Sequence, residues 1–192
     1  MAEHWLYLPS IGFFLIIAKY MRDMDRKGLT VLAISISAAL IALYSYLTIN
    51  QNDYWRDPVR FYNRTLHYAP ESHKSCYNLA MIYKDEGRND EAIELFAKAI
   101  KANPRYSEAY NNLGSLYGSM GNYAAAESLL KKAIELNPRY ARAYNNMGNV
   151  YMLRGQYETA ISFYKKALDF DPEQADTRYN LDSAYETLRK NR

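Results

Sequence analysis

Residues 107–140 read SEAYNNLGSLYGSMGNYAAAESLLKKAIELNPRY. Shifted by 34 positions, this stretch aligns without a gap on HKSCYNLAMIYKDEGRNDEAIELFAKAIKANPRY (73–106) and on ARAYNNMGNVYMLRGQYETAISFYKKALDFDPEQ (141–174). Three copies in register define the organisation of the chain, and the rest is read outward from them.

Each copy carries the residues of a helix, a turn and a second helix. Leu79, Leu113 and Met147 hold one apolar position of the first helix, and Tyr83, Tyr117 and Tyr151 complete its stripe at helical spacing. Ala80, Gly114 and Gly148 stand between them, small enough for two helices to approach. Gly87, Gly121 and Gly155 end the first helix. Ala92, Ala126 and Ala160 open the close-packed face of the second helix, and Ala99, Ala133 and Ala167 continue it. Pro104, Pro138 and Pro172 stop that helix before the next copy. The repeat also accounts for much of the tyrosine content, 20 residues in 192.

These residues and the period closely resemble the tetratricopeptide repeat family over residues 73–174. The resemblance implies an all-α superhelical solenoid with repeats at 73–106, 107–140 and 141–174. Residues 175–192 match a first helix alone, with Asp182 where a small residue is usual and Arg178 where an aromatic or small one is, as expected of a solvent-facing capping helix. Upstream, DPVRFYNRTLHYAP (57–70) reads as a lone second helix, with Asp57 as N-cap, Pro58 at the first helical position and Tyr62 in the place of Phe96. Residues 53–72 therefore form a partial repeat or linker helix, giving about three and a half repeats plus this partial one.

The first 52 residues are of another kind. Residues 29–52 contain no charge. The run LTVLAISISAALIALYSYLTI (29–49) would extend roughly 31 Å as a helix, about the thickness of a bilayer core. Tyr44, Tyr46, Tyr54 and Trp55 gather at one end, where interfacial aromatics belong. The opening MAEHWLYLPSIGFFLIIAKY places Glu3 and His4 before its apolar run and its positive charges after it, the wrong polarity for a secretory signal. A first span over about 5–20, paired with 29–49 through the basic loop 19–28, fits better and makes residues 1–52 a membrane hairpin. Lys19, Arg22, Arg26 and Lys27 favour a cytoplasmic loop, which sends the repeats to the periplasmic, extracellular or lumenal side.

Composition excludes several function classes. Residues 1–69 carry seven basic and five acidic residues and the remainder 17 and 16, so neither part offers the basic stripe of a nucleic-acid binder. His4, His67 and His73 share no helix face, and none of the common metal, nucleophile or phosphate-loop motifs occurs. No cofactor or metal is expected. Cys76 falls on a position between helices and reads as a buried thiol. Asn63-Arg64-Thr65 is an N-glycosylation triplet inside the expected helix.

The candidate site is a set of amides. Asn78, Asn112, Asn146 and Asn180 occupy one place in four successive first helices. In tetratricopeptide repeats first helices line the concave groove, and the set resembles the ladder with which O-GlcNAc transferases grip substrate polypeptide. Such a ladder would bond the backbone of an extended peptide without reading its side chains. The same amides could instead tie adjacent repeats together. Beside them stand Tyr77, Asn111 and Asn145, with Asn149 a turn later, and no lysines of the kind that clamp a peptide carboxylate in chaperone-binding repeats.

The opening also resembles a second family. Glu3, Leu6, Tyr7, Leu8, Pro9, Ser10, Gly12 and Phe13 match the E-R-Y-L-Y-L-P-S-x-G-F stretch of the transmembrane and tetratricopeptide-containing proteins, with His4 in place of the usual arginine. Those are glycosyltransferases of the C fold, several of them protein O-mannosyltransferases. The order span, loop, span, Trp55-Arg56-Asp57 and repeats matches too. The resemblance implies that this stretch is an interior segment of a larger membrane protein. It puts the catalytic acidic residues in an early lumenal loop, which this sequence lacks. The chain is thus expected to be no enzyme on its own. It is either a membrane-anchored scaffold that binds a protein or peptide partner, or a part or subunit of such a transferase, its repeats recruiting the acceptor protein to a catalytic membrane subunit.

Overall fold

The computed structural model describes residues 27–191 together with Ile16 and Lys19; side chains are described for Ile16, Lys19, 31–49 and 57–191. The described residues form nine helices and no strand. They divide into two units, residues 1–56 and Asp57–Arg192. The expected first span over about 5–20 and the basic loop 19–28 lie outside the described residues, apart from Ile16, Lys19 and the start of the next helix.

In the first unit, helix α1 runs Lys27–Arg56. Its stretch Val31–Ile49 has a mean hydropathy of 1.9 with none of it buried, so by length and composition it is apolar enough to cross a membrane. The helix also takes in Asp53–Arg56, which the sequence places in the partial repeat or linker helix over 53–72. After Gly28 in its first turn no glycine or proline occurs until Pro58, and the residue before a proline is pushed out of the α region. Asp57 accordingly has φ −113° and ψ 95°.

The second unit opens with α2 (Pro58–Tyr68), capped as the sequence predicts: the Asp57 carboxylate accepts from the Arg60 N–H at 3.1 Å. Three helical hairpins follow, α3 (His73–Asp85) with α4 (Asn89–Ala102), α5 (Ser107–Ser119) with α6 (Tyr123–Leu136), and α7 (Ala141–Leu153) with α8 (Tyr157–Phe170). Helix α9 (Ala175–Lys190) packs on α8, and α2 packs on α3.

Each hairpin turns on a left-handed glycine. Gly87, Gly121 and Gly155 have φ of 76°, 81° and 74°. In the first turn the Gly87 N–H donates to the Lys84 carbonyl and the Arg88 N–H to the Tyr83 carbonyl, the paired bonds of a Schellman cap. The second helices end before proline. Asn103 and Asn137 sit there in extended conformation, and their side chains accept from the N–H groups of Arg105 and Arg139.

The core follows the repeat. Ala92, Ala126, Ala160, Ala99, Ala133 and Ala167 are fully buried where paired helices touch. Phe96, Leu130 and Tyr164 share one register and fill the space opposite. A β-carbon on Gly148 would lie 2.4 Å from Tyr164 Cε1, so the large ring requires the glycine. Cys76 is buried, and that burial pushes its thiol pKa up. On α9, Arg178 and Asp182 are exposed while Thr177 and Ala184 are buried, the pattern of a cap. A further clamp joins two repeats: Glu127 on α6 accepts from Tyr151 Oη on α7 at 3.0 Å and from Nη1 of Arg154, the residue that caps α7, at 2.9 Å. Its contact with Lys131, with these bonds behind it, holds the Glu127 carboxyl below the usual range.

Candidate functional site

The first helices α3, α5, α7 and α9 carry the candidate residues at fixed heights, because each repeat restarts its helix at the same distance from the preceding proline. Three of the four predicted amides bond across the repeat boundary. Asn112 Nδ2 donates to Tyr77 Oη at 2.8 Å, Asn146 Nδ2 to Asn111 Oδ1 at 2.9 Å, and Asn180 Nδ2 to Asn145 Oδ1 at 3.0 Å. Each partner lies 35 residues back, on the preceding first helix. Asn112 gives its second hydrogen to the Glu108 carbonyl at 2.9 Å, and Asn180 gives its second to Asn149 Oδ1 at 3.2 Å. In Asn112, Asn146 and Asn180 Nδ2 makes these bonds, and Oδ1 is the remaining acceptor of each amide. Asn78, in the first full repeat, has no such bond among the described residues.

Of the flanking residues, Asn111 and Asn145 are buried and serve as acceptors for the ladder. Asn149 accepts from Tyr164 Oη at 2.7 Å as well as from Asn180. Tyr77 is half-buried, edge-on to Phe96 and tilted against Tyr106 with ring centres 5.1 Å apart. Burial first, and the Glu108 carboxylate second, push its pKa up. Tyr179, in the same register as Tyr77, is exposed.

A cleft of about 400 Å³ opens across α5, α7 and α9. Asn146, Asn149 and Asn180 stand in its wall beside Ser115, Ser183 and Leu153. Ser115, Asn149 and Ser183 share one register, so three successive helices each present a small polar group at one height. Asn149 is among the site residues expected from the sequence and the two serines are not, although the 34-residue spacing pointed to them. Tyr164 is the only titratable residue in the lining; its hydroxyl is engaged by Asn149, and burial pushes its pKa up to about 12. The cleft is therefore neutral, with acceptors on one wall and apolar Leu153 and Met152 at its edge. Among the described residues no cluster of acidic, histidine or cysteine side chains could hold a metal.

Comparisons with known proteins agree with this architecture. The family model described as tetratricopeptide repeat matches residues 74–139 and 105–173. The human protein named "Protein O-mannosyl-transferase TMTC1" is 34% identical over 112 residues, 56% of this chain but 13% of that protein. The chain thus matches about an eighth of the length of that relative, within its repeats. Among solved structures, MamA superposes with a TM-score of 0.60 at 32% identity, over 68% of this chain and 76% of MamA. The first tetratricopeptide domain of Spaghetti (RPAP3), bound to the HSP90 peptide SRMEEVD, superposes with a TM-score of 0.57 at 26% identity, over 61% of this chain and 93% of that one. A family model covering half the chain, repeat-built structures and the helix pairs themselves give one answer: the chain belongs to the tetratricopeptide repeat family.

Proposed function

We propose that the repeats capture an extended segment of a partner protein in the cleft across α5, α7 and α9, and that α1 holds them at a membrane on its non-cytoplasmic side. The observation that carries this reading is the row of amides at one height beside a neutral cleft of about 400 Å³. An extended strand needs hydrogen-bond partners for its backbone, and carbonyl oxygens at repeat intervals supply them for its N–H groups. Small serines leave room for its side chains. The RPAP3 domain, solved with a peptide, supports this mode of use. The neutral lining favours an uncharged stretch, since a charge placed there would lose hydration without a counter-ion.

Leu153, exposed at the cleft edge, provides the test. A photo-crosslinker at this position should capture neutral, unstructured peptides, and Ser115→Trp should abolish capture with the thermal midpoint unchanged. Equal capture by the Ser115→Trp variant would rule out this cleft.

A second reading is favoured by the relatives named protein O-mannosyl-transferases. In it the repeats deliver acceptor protein to a catalytic membrane subunit of the C-fold glycosyltransferase class, and the same cleft does the recruiting. Co-purification from solubilised membranes separates the two: a polytopic partner that co-purifies and transfers mannose supports delivery, whereas a chain that crosslinks peptides with no such partner supports a scaffold alone.

A further inference from the structure

Asn63-Arg64-Thr65 is the one N-x-S/T triplet in the sequence. It lies in α2, which packs through Val59, Tyr62 and Leu66. Those positions follow one helical stripe; Arg60, Arg64 and His67 lie on the exposed side away from it, and Asn63 is exposed at its flank. A bulky group on Asn63 would stand in solvent and disturb no packed contact. Asn63 is also on a second helix of the partial repeat, whereas the cleft is built from first helices.

The folded helix is a poor acceptor. Thr65 is half-buried and its hydroxyl donates to the Phe61 carbonyl at 2.9 Å, which turns it away from Asn63. This does not close the site, because α2 has only 11 residues. Isolated helices of this length are marginal in water, so α2 depends on α3, which follows it in the chain. The nascent triplet is therefore extended when it emerges.

We propose that Asn63 is an N-glycosylation site, modified before α2 docks on α3; this rests on the reading that the repeats face the lumenal side. The Asn63 amide nitrogen bonds to the anomeric carbon of an oligosaccharide carried on a lipid pyrophosphate. The sugar–oxygen bond breaks, the lipid pyrophosphate leaves, and the amide gives up one proton with no change of oxidation state. The glycan keeps the outer face of α2 solvated and free of other contacts.

The test is expression of the full chain in cells whose secretory pathway attaches N-glycans. The expected result is an increase in apparent mass by one glycan, removed by an amidase specific for N-glycans, absent in Asn63→Gln and retained in Thr65→Ser. The control is Ala124→Thr in the Asn63→Gln background, which makes a new triplet with Asn122 and Tyr123 at a hairpin turn where Asn122 and Ala124 are both exposed. An unmodified native chain beside a modified control overturns the Asn63 site and leaves the lumenal reading standing. Absence of modification in both overturns the lumenal reading and this inference with it.

Discussion

Asn146 donates to Asn111, 35 residues earlier on the neighbouring first helix, at 2.9 Å. Asn111 is only 3% exposed, so its Oδ1 depends on this donor. The ladder thus joins repeats whatever else it binds. Asn146→Ala strands a buried acceptor, and a loss of about 1–3 kcal/mol in unfolding free energy is expected. Asn78 has no corresponding bond, so Asn78→Ala should stay within about 0.5 kcal/mol of the parent. Urea titration of both variants checks this, and equal stabilities would remove the structural role assigned to Asn146.

Gly148 and Tyr164 make a second dependent pair. The 2.4 Å approach leaves no room for a methyl group, and the ring is held by burial and by its bond to Asn149. Gly148→Ala should cost about 1–3 kcal/mol through overpacking. Gly118→Ala meets Val150 Cγ2 at 3.1 Å and should cost less. The ratio of the two losses, read from thermal unfolding, tests whether the ring sets the helix spacing. A larger loss at Gly118 contradicts the geometry.

The sequence made the solenoid legible because its signals are local. Glycine at the left-handed turn, proline after the second helix and alanine at the crossing each act within a few residues, and three gapless copies reinforce them. The fate of the amides is a different matter. Four asparagines in one register are visible in the sequence, but their hydrogens turn to residues 35 positions away on another helix. That choice depends on the distance between first helices, where Gly118 lies close against Val150 of the next one. Ser115 and Ser183 escaped notice because a small polar residue on a helix face reads equally well as solvent-facing. The expected boundary at 52/53 followed the loss of apolar character and the first charge at Asp53, whereas no backbone feature ends the helix before Asp57.

Two tyrosines, Tyr164 buried and Tyr140 half-buried, set an alkaline limit. Burial pushes Tyr140 and Tyr164 up to about 12 from an ordinary value near 10. The unfolded chain ionises first, so their stabilising contribution is complete below pH 10 and is lost as the pH rises toward 12. Tyr164 is 1% exposed and should dominate, with a slope approaching about 1.4 kcal/mol per pH unit. Urea midpoints measured from pH 8 to 12 should fall steeply above 10, and Tyr164→Phe should flatten that limb. An unchanged slope in the variant would assign the loss to other groups.

Helix α1 offers a test apart from the repeats, because it belongs to a different compact unit. Val31–Ile49 presents its apolar side chains to the surroundings, with Ile41 50% exposed near the middle. In water such a surface would associate, and in a bilayer it is matched to the hydrocarbon. An arginine at mid-depth costs about 2.5–3.5 kcal/mol on insertion scales. Ile41→Arg should therefore raise the fraction of chain extracted from membranes by alkaline carbonate, while the thermal midpoint of the repeats stays where it was. If the parent chain is itself fully extracted, α1 lies outside the bilayer and the anchoring reading fails. If both chains resist extraction equally, some other segment carries the attachment.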